Sequence, residues 1–555
     1  LNGGLFLKHR IEQDYEISIA DEAFKKVLDL FARYSWNLDD TPGGKDDEIN
    51  PDVLGYIFEK YINQKAFGAY YTRPQITEYL CDRTIHKLIV DRVNAALSHD
   101  RNLSSNNGKC SVLDTQIPPT PLKQGGLCVT LNNYQARYED INDLLINLDG
   151  NVCRLLVEEI IPNLSILDPA CGSGAFLVAA LKTLISVYSA VIGTIKLQGD
   201  ARAKKWLQEI ETKHKSLSYF IKKRIVTDNL YGVDIMEEAT EIAKLRLFLA
   251  LVASVDNVDE LEPLPNIDFN IMAGNSLIGL IKVDETAFDN VGISKQGNLL
   301  QPLKAANYKK ILDEKNQSIE LYKKHAFQSG EEQGTSQDSR LSMLKKDIEQ
   351  LNQDSQIKLN DLLLDEFNNL KIKYEEKQLT GKAKKRGLTA KDIEVLKPFH
   401  WGYHFDKILK NGVDAIITNP PWEIFKPQAK EFFAEYSDLV TKNKMDIKTF
   451  EKQQKQLLAN PEIAEAWLEY QSQYPYVSAY YRSSEDYKNQ ISIVNGRKAG
   501  TDINLYKLFL ERCFHLLRDG GECGIVIPSG IYTDLGTKQL REMLFSQTKV
   551  TGLFC

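Results

Sequence analysis

Paired cysteines are what this chain most plainly lacks. Eight cysteines are scattered through 555 residues and none forms a Cys-x-x-Cys pair. That argues against a disulfide scaffold and against a zinc site, and it fits a reducing cytoplasm. No uninterrupted run of 18 apolar residues occurs, so the sequence predicts no spanning helix and no membrane partner. Positive charge is also short, with 69 Lys and Arg against 76 Asp and Glu, a net of −7. Such a balance does not advertise a polyanionic partner, although a nucleic-acid binder needs only a local basic footprint. Internal repeats are absent. What remains is an ordinary globular composition, 43% hydrophobic and 26% charged, at a length that implies two or three domains.

The most informative stretch is Asn419-Pro420-Pro421-Trp422, which follows the apolar run Val413-Asp414-Ala415-Ile416-Ile417. That run reads as a short buried strand, and two successive prolines must end it because they donate no ladder hydrogen bonds. An amide, a backbone carbonyl and an indole are therefore left at the carboxyl end of a strand, where open α/β sheets bind ligands. An Asn oxygen and a neighbouring carbonyl can each accept one hydrogen of an exocyclic –NH2, while an aromatic face stacks on its ring. Taken alone, the string also reads as a strand that ends in a Pro-rich turn.

A second stretch gives it a context. Residues Leu164 to Leu177 read as strand, glycine-rich turn and helix, with Asp168 at the strand end and Gly172 and Gly174 in the turn. This is not the dinucleotide fingerprint, since a third glycine is missing and an acidic residue precedes the turn. A strand-end carboxylate repels a pyrophosphate but accepts from an ammonium or hydroxyl. The site suits a cationic nucleoside such as S-adenosylmethionine better than NAD. Cys171 reads as a small turn residue more readily than as a nucleophile. A third apolar run, Asn229 to Ile235, ends in Asp234 and precedes a strong helix from Glu237 to Leu251. An acid at the end of a second strand is how such folds hold ribose hydroxyls. Asp168 and Asp234 stand 66 residues apart, where about 20 is usual, so an added helical segment around 182–224 is expected.

In order, FGAYYTRP (67–74), DPACGSGAFL (168–177), YGVDI (231–235), AGNSLIG (273–279) and NPPW (419–422) resemble the γ-class amino-methyltransferases of DNA. More narrowly, the set resembles the adenine-specific methylases of type IIG restriction–modification systems and their relatives in BREX and DISARM phage-defence islands. The likeness runs through essentially the whole chain, and the ordered set is far more specific than any one member. It implies an α/β, Rossmann-like S-adenosylmethionine-dependent methyltransferase sheet with a helical N-terminal domain and large helical insertions. It also implies that Tyr71 and Thr72 cover the methionine end of the cofactor, and that Asp168, Ala170, Gly172 and Gly174 line its amino-acid and ribose side. Asp234 would bind the ribose, Ile235 would pack on the adenine, and Asn275 would lie near the adenine amino group, where many relatives carry Asp. Asn419, Pro420, Pro421 and Trp422 would form the catalytic loop, with Trp in place of the more usual Tyr or Phe. No metal is implied. The partners implied are double-stranded DNA and, beyond it, other restriction or defence subunits.

The chain then divides into a helical region over 1–65, a cofactor-binding part over 66–300, a helical insertion over 301–395 and a catalytic part over 396–555. Phe24, Val27, Leu28 and Phe31 share one helical face, and Asn50-Pro51 opens a second helix. Residues 95–150 read as an irregular insertion, and 425–500 as another. Leu341, Leu344, Ile348 and Leu351 follow helical spacing, and Gly330–Ser339 is read as the break in an antiparallel helical hairpin. That hairpin reads either as an arm against DNA or as a structural insert. Lys382, Lys384, Lys385 and Arg386 form the clearest basic cluster, a phosphate contact or a solvated loop. Ile525–Pro528 matches a further core strand, and Tyr506 sits in the helix after the catalytic loop. The chain opens on Leu1 rather than Met and stops on an apolar, strand-like stretch, so a fragment lacking its target-recognition domain is expected.

Two alternatives stand beside the methylase reading. One is a silent S-adenosylmethionine-binding subunit of a defence complex. The other is an amino-methyltransferase acting on RNA or on protein glutamine, against which the long insertions argue. A nuclease reading rests only on Asp313-Glu314-Lys315 and Glu375-Glu376-Lys377, which read as solvated faces of polar helical segments.

Overall fold

The computed structural model describes residues 18–36, 48–49, 53, 55–57, 72–104, 138–253, 257, 262, 264–291, 307–325, 335–434, 436–437, 447–491, 493–494, 497–498 and 502–554. Its centre is a five-stranded sheet. In chain order the strands are β1 (Ile166–Asp168), β2 (Leu230–Asp234), β3 (Ile271–Ala273), β4 (Val413–Thr418) and β5 (Leu517–Ile525). Across the sheet they lie β5-β4-β1-β2-β3, every neighbour parallel. A parallel sheet needs helices on both faces, and the side chains divide accordingly. Ile166, Leu230, Ala415 and Ile417 face one core cluster, whereas Leu167, Val233, Val413 and Ile416 face another built on Phe399, Trp401, Phe405 and Leu516.

The first connection carries α1 (Ala175–Gln198) and two further helices, Ala201–Lys213 and Leu217–Asp228, the helical excess expected between Asp168 and Asp234. Helix α2 (Glu237–Val252) joins β2 to β3. Apolar on nearly every side, α1 is long and apolar enough to cross a membrane by length and composition, but 67% of that window is buried inside the protein. Counting uninterrupted runs missed it, because Lys182 breaks the run without breaking the helix. An all-round apolar helix is what the centre of a large core requires.

Several boundaries depart from expectation. Lys87–Ser104 is one helix, and Ile141–Ile146 and Gly150–Arg154 are helices capped by Asp140 and Asp149, so both edges of the irregular segment are regular. The helical hairpin forms from α3 (Tyr308–His325) and α4 (Thr335–Asn369), with α4 starting inside the stretch read as the break. It is docked on the sheet domain: the Tyr322 hydroxyl donates to Asp268 at 2.8 Å, and Lys315 reaches Asp406 at 2.8 Å. Lys315 is 1% exposed, so the first acidic-x-Lys triplet is no solvated face; its lysine neutralises a partly buried acid. Glu375-Glu376-Lys377 lies on a hairpin, Tyr374–Glu376 paired with Lys384–Arg386, and not on a helix. Within the basic cluster, Lys385 pairs with Glu375 at 2.8 Å, and Arg386 clamps Asp392 through both nitrogens and covers the Tyr374 ring. Of Ile525–Pro528 only Ile525 is strand; Val526 adds one more bond to Thr418 before Pro528 ends the ladder. Helix Asp21–Phe31 forms as its spacing predicts, with Phe24, Val27, Leu28 and Phe31 all exposed. The second N-terminal helix is described only at residues 53 and 55–57, and Leu54, Phe58 and Tyr61 fall outside the described residues.

Candidate active site

The winding reverses between β1 and β4. From β1 the chain moves outward through β2 to β3, then returns to the opposite side of β1 for β4. Such a switch point opens a crevice at the carboxyl ends of the two strands. One rim of that crevice ends in Asp168, and the other in Thr418 followed by Asn419.

The β1 rim is a tight turn. Gly172 and Gly174 take positive φ of 50° and 84°, and a side chain at Gly174 would strike the Cβ of Ala243. At Gly172 a side chain would meet nothing within 4 Å, so that glycine is required by its backbone angle and the turn faces open space. Asp168, 1% exposed, accepts from the Ala170 N–H at 3.0 Å. Burial pushes its carboxyl up to about 7, the Thr418 hydroxyl and Ala170 N–H hold it partly back, and the charge of Asp234 raises it further. Asp234 accepts from Gly172 and Met236 N–H groups, each at 2.9 Å, and desolvation raises its carboxyl as well. Asp234 thus ties β2 to the turn, and Ile235 beside it is 44% exposed. Cys171 is buried, and burial drives its thiol well above the ordinary range, which is the opposite of an activated nucleophile.

Asn275 follows β3 but turns its side chain along the backbone: Nδ2 donates to the Leu396 carbonyl at 3.2 Å and Oδ1 accepts from Leu277 N–H at 3.1 Å. It staples the 273–279 turn to residues 396–399. Tyr71 lies outside the described residues.

On the β4 rim, Asn419 Nδ2 donates to the Thr72 hydroxyl at 2.9 Å. Its Oδ1 is buried and has no hydrogen-bond partner among the described residues. A buried amide oxygen without a donor is destabilising by about 1–3 kcal/mol, and native interiors rarely leave one unless a ligand completes it. Trp422 is 43% exposed, and its indole N–H donates to the Val526 carbonyl at 3.3 Å. That bond ties the part-exposed ring to the residue after β5. Thr72 was expected beside the cofactor, and the structure joins it instead to the amide proposed for the target. Pro420 is buried and Pro421 half-buried.

Two residues at the crevice, and one at the far end of β4, were not singled out in the sequence. Arg246, 3% exposed, donates to the Ser173 carbonyl at 2.9 Å and to its hydroxyl at 3.0 Å, bracing the glycine turn from α2. A lone arginine among Ala239, Ala243, Leu247 and Ala250 was the available signal. Thr418, buried at the end of β4, is one of the groups that lower the Asp168 carboxyl. Asp414, the one charge in the β4 run, binds Arg92, Arg518 and Ser165.

Comparison with known proteins matches residues 228–461 and 475–554 to the Eco57I restriction-modification methylase family, and residues 151–277 to the MmeI DNA-methyltransferase domain. The chain belongs to the Eco57I restriction-modification methylase family. It is 31% identical over 460 residues to a putative type II restriction enzyme and methyltransferase of Methanocaldococcus jannaschii, covering 78% of this chain and 35% of that protein. Over 145 residues it is 30% identical to the type II restriction enzyme and methyltransferase Eco57I of Escherichia coli, covering 25% of this chain and 13% of that protein. The methylase chain therefore spans about a third of the length of the archaeal relative. Family and sheet order agree: the fold is the α/β, Rossmann-like methyltransferase fold that the motif order implied.

Proposed function

We propose that this methylase transfers a methyl group from S-adenosylmethionine to N6 of an adenine turned out of double-stranded DNA, within a restriction–modification system of the cytoplasm. The observation that carries the reading is the buried, unpartnered Oδ1 of Asn419 beside the exposed face of Trp422. An adenine inside a duplex keeps its amino group paired, so it must be extruded to reach such a group. The Asn419 oxygen and the Pro420 carbonyl would then accept its two amino hydrogens while Trp422 stacks on the ring. Those bonds hold the N6 lone pair toward the crevice and favour the positive charge that grows on nitrogen during transfer.

The β1 rim fits the cofactor. Gly172 opens onto free space, Asp168 offers a carboxylate whose ionised form a cationic ammonium would restore, and Asp234 keeps lone pairs for ribose hydroxyls. Ile235, exposed beside it, offers an apolar surface for the adenine, and Ala170 lines the same turn. When bound, S-adenosylmethionine supplies an electrophilic methyl group. Asp168 and Asp234 hold and orient, and Asn419 acts on the acceptor. No side chain beside Asn419 is assigned as a base, so the N6 proton leaves after transfer.

The test is nucleoside mass spectrometry of unmethylated DNA incubated with the intact protein and methyl-labelled cofactor. Label on adenine N6 is expected. Label on cytosine, on RNA or on protein would overturn the assignment, and no label at all would favour a silent cofactor-binding subunit.

A further inference from the structure

We infer that Thr72 is a positioning residue for Asn419, holding the amide in place by accepting from its nitrogen end while Oδ1 stays toward the substrate; this rests on the amino-methyltransferase reading above. Thr72 and Asn419 lie 347 positions apart in sequence, yet the Asn419 amide nitrogen donates to the Thr72 hydroxyl at 2.9 Å. Thr72 is 9% exposed, so water competes little for that bond. It stands two residues before the helix Pro74–Cys81, whose first residue is a proline with fixed φ.

A primary amide beside one hydroxyl can sit in two ways. With Nδ2 toward Thr72, the hydroxyl accepts and Oδ1 is presented to the crevice, buried and without a partner among the described residues. Turned over, Oδ1 would accept from the hydroxyl and the –NH2 would face the amino group of the target. Donors would then meet donors, and no side-chain acceptor would remain for the amino hydrogens. Only the first orientation supports transfer, and the Thr72 oxygen is the atom that satisfies its nitrogen end. A valine keeps the shape and removes the acceptor. A serine keeps the acceptor.

The experiment compares Thr72→Val and Thr72→Ser in the intact protein, reading kcat and KM on unmethylated plasmid DNA together with the thermal shift produced by sinefungin, a non-transferring cofactor analogue. Thr72→Val should lower kcat by about 10- to 100-fold while cofactor KM and the sinefungin shift stay within about twofold. Thr72→Ser should recover at least about a third of the wild-type rate. A wild-type kcat in Thr72→Val would overturn the inference, as would a serine variant no better than valine. Loss of the sinefungin shift in Thr72→Val would make Thr72 a cofactor contact and overturn it equally. Melting temperatures of Thr72→Ser, Asn419→Ala and the double variant, alongside the valine pair, read the bond without any activity. Additive shifts in the valine pair would refute the coupling even if the wild type methylates adenine; non-additive shifts there, with an additive serine pair, would support it even if the substrate assignment fails.

Discussion

The two ends of β4 receive opposite treatment. At the amino end, Asp414 is nearly buried, yet Arg92, Arg518 and both the hydroxyl and the N–H of Ser165 surround it. Its own N–H donates to the Ser165 hydroxyl in return. Five residues on, Asn419 keeps an amide oxygen buried with no donor among the described residues. One strand therefore carries an acid ringed by donors at the end that holds the sheet together, and an amide oxygen without a donor at the end where the proposed substrate would complete the set. Buried polar groups are normally paired, and Thr418 Oγ1 and Arg92 Nε also lack a partner among the described residues, so it is the place of the Asn419 oxygen, at the carboxyl end of β4, that supports the proposed role.

Breaking the saturated end should have the largest effect. Asp414→Ala leaves two arginines and a serine facing an empty site, and removing one partner of a buried ionic cluster costs about 3–5 kcal/mol. Urea denaturation should show that loss, with the cofactor-induced shift of the remaining folded protein intact. An unchanged midpoint would mean that the network is screened and the contrast between the two ends is false. At the open end, Asn419→Ala should reduce methyl transfer by at least about 10²- to 10³-fold, the scale for losing one preorganised group at a reacting centre. Its melting temperature should hold or rise, because an unpaired buried oxygen is removed. A variant that unfolds while still transferring methyl would reverse the roles of the two ends.

The carboxyl end of β1 sharpens the same contrast through pH. Asp168 is buried with its carboxyl pushed up to about 7, well above the ~3.9 of an unfolded chain. The folded state thus binds more protons than the unfolded state between about pH 4 and 7, and stability must fall as pH rises through that window. Without cofactor the slope approaches at most about 1.4 kcal/mol per pH unit for this one group. Cofactor should tighten as pH rises toward 7, since its ammonium favours the ionised carboxylate. Denaturant midpoints measured across pH 4 to 8 should slope downward in the wild type and flatten in Asp168→Asn. Equal slopes in the two proteins would exclude Asp168 as the titrating group.

Much of this was legible because it is local. The run Val413–Ile417 followed by two prolines, and the Asp-Pro-Ala-Cys-Gly-Ser-Gly turn, each carry their strand, break and helix within a few residues. What stayed hidden is long-range pairing. Asp414 stood in plain view inside an apolar run, but its partners lie 322, 249 and 104 positions away. The motif resemblance assigns Thr72 to the methionine end of the cofactor, and nothing local says that its hydroxyl meets the Asn419 amide. Lys315 looked solvated because α3 is polar in sequence, and only docking on Asp406 shows that one of its lysines is buried. Asn275 was read as a ligand contact, whereas both ends of its amide are engaged by backbone.

The smallest effect separates two jobs of Trp422. Its ring is 43% exposed, and its indole N–H is tied to Val526 at the end of β5. Trp422→Ala removes both and should weaken capture of the extruded base by about 1–3 kcal/mol, read as a raised KM for DNA. Trp422→Phe keeps a stacking ring and removes only the tether. A part-exposed neutral hydrogen bond of 3.3 Å lies at or below the low end of the usual 0.5–1.5 kcal/mol, so a loss of about two- to threefold is expected. Trp422→Tyr should match Phe, because a phenol hydroxyl does not replace the indole donor at the same position. If Phe falls as far as Ala, the ring is held by Val526 before any base arrives, and orientation at the crevice edge outweighs the stacking surface. If Phe equals the wild type, the Val526 bond is incidental and the β4 rim needs only an aromatic face beside the open oxygen of Asn419.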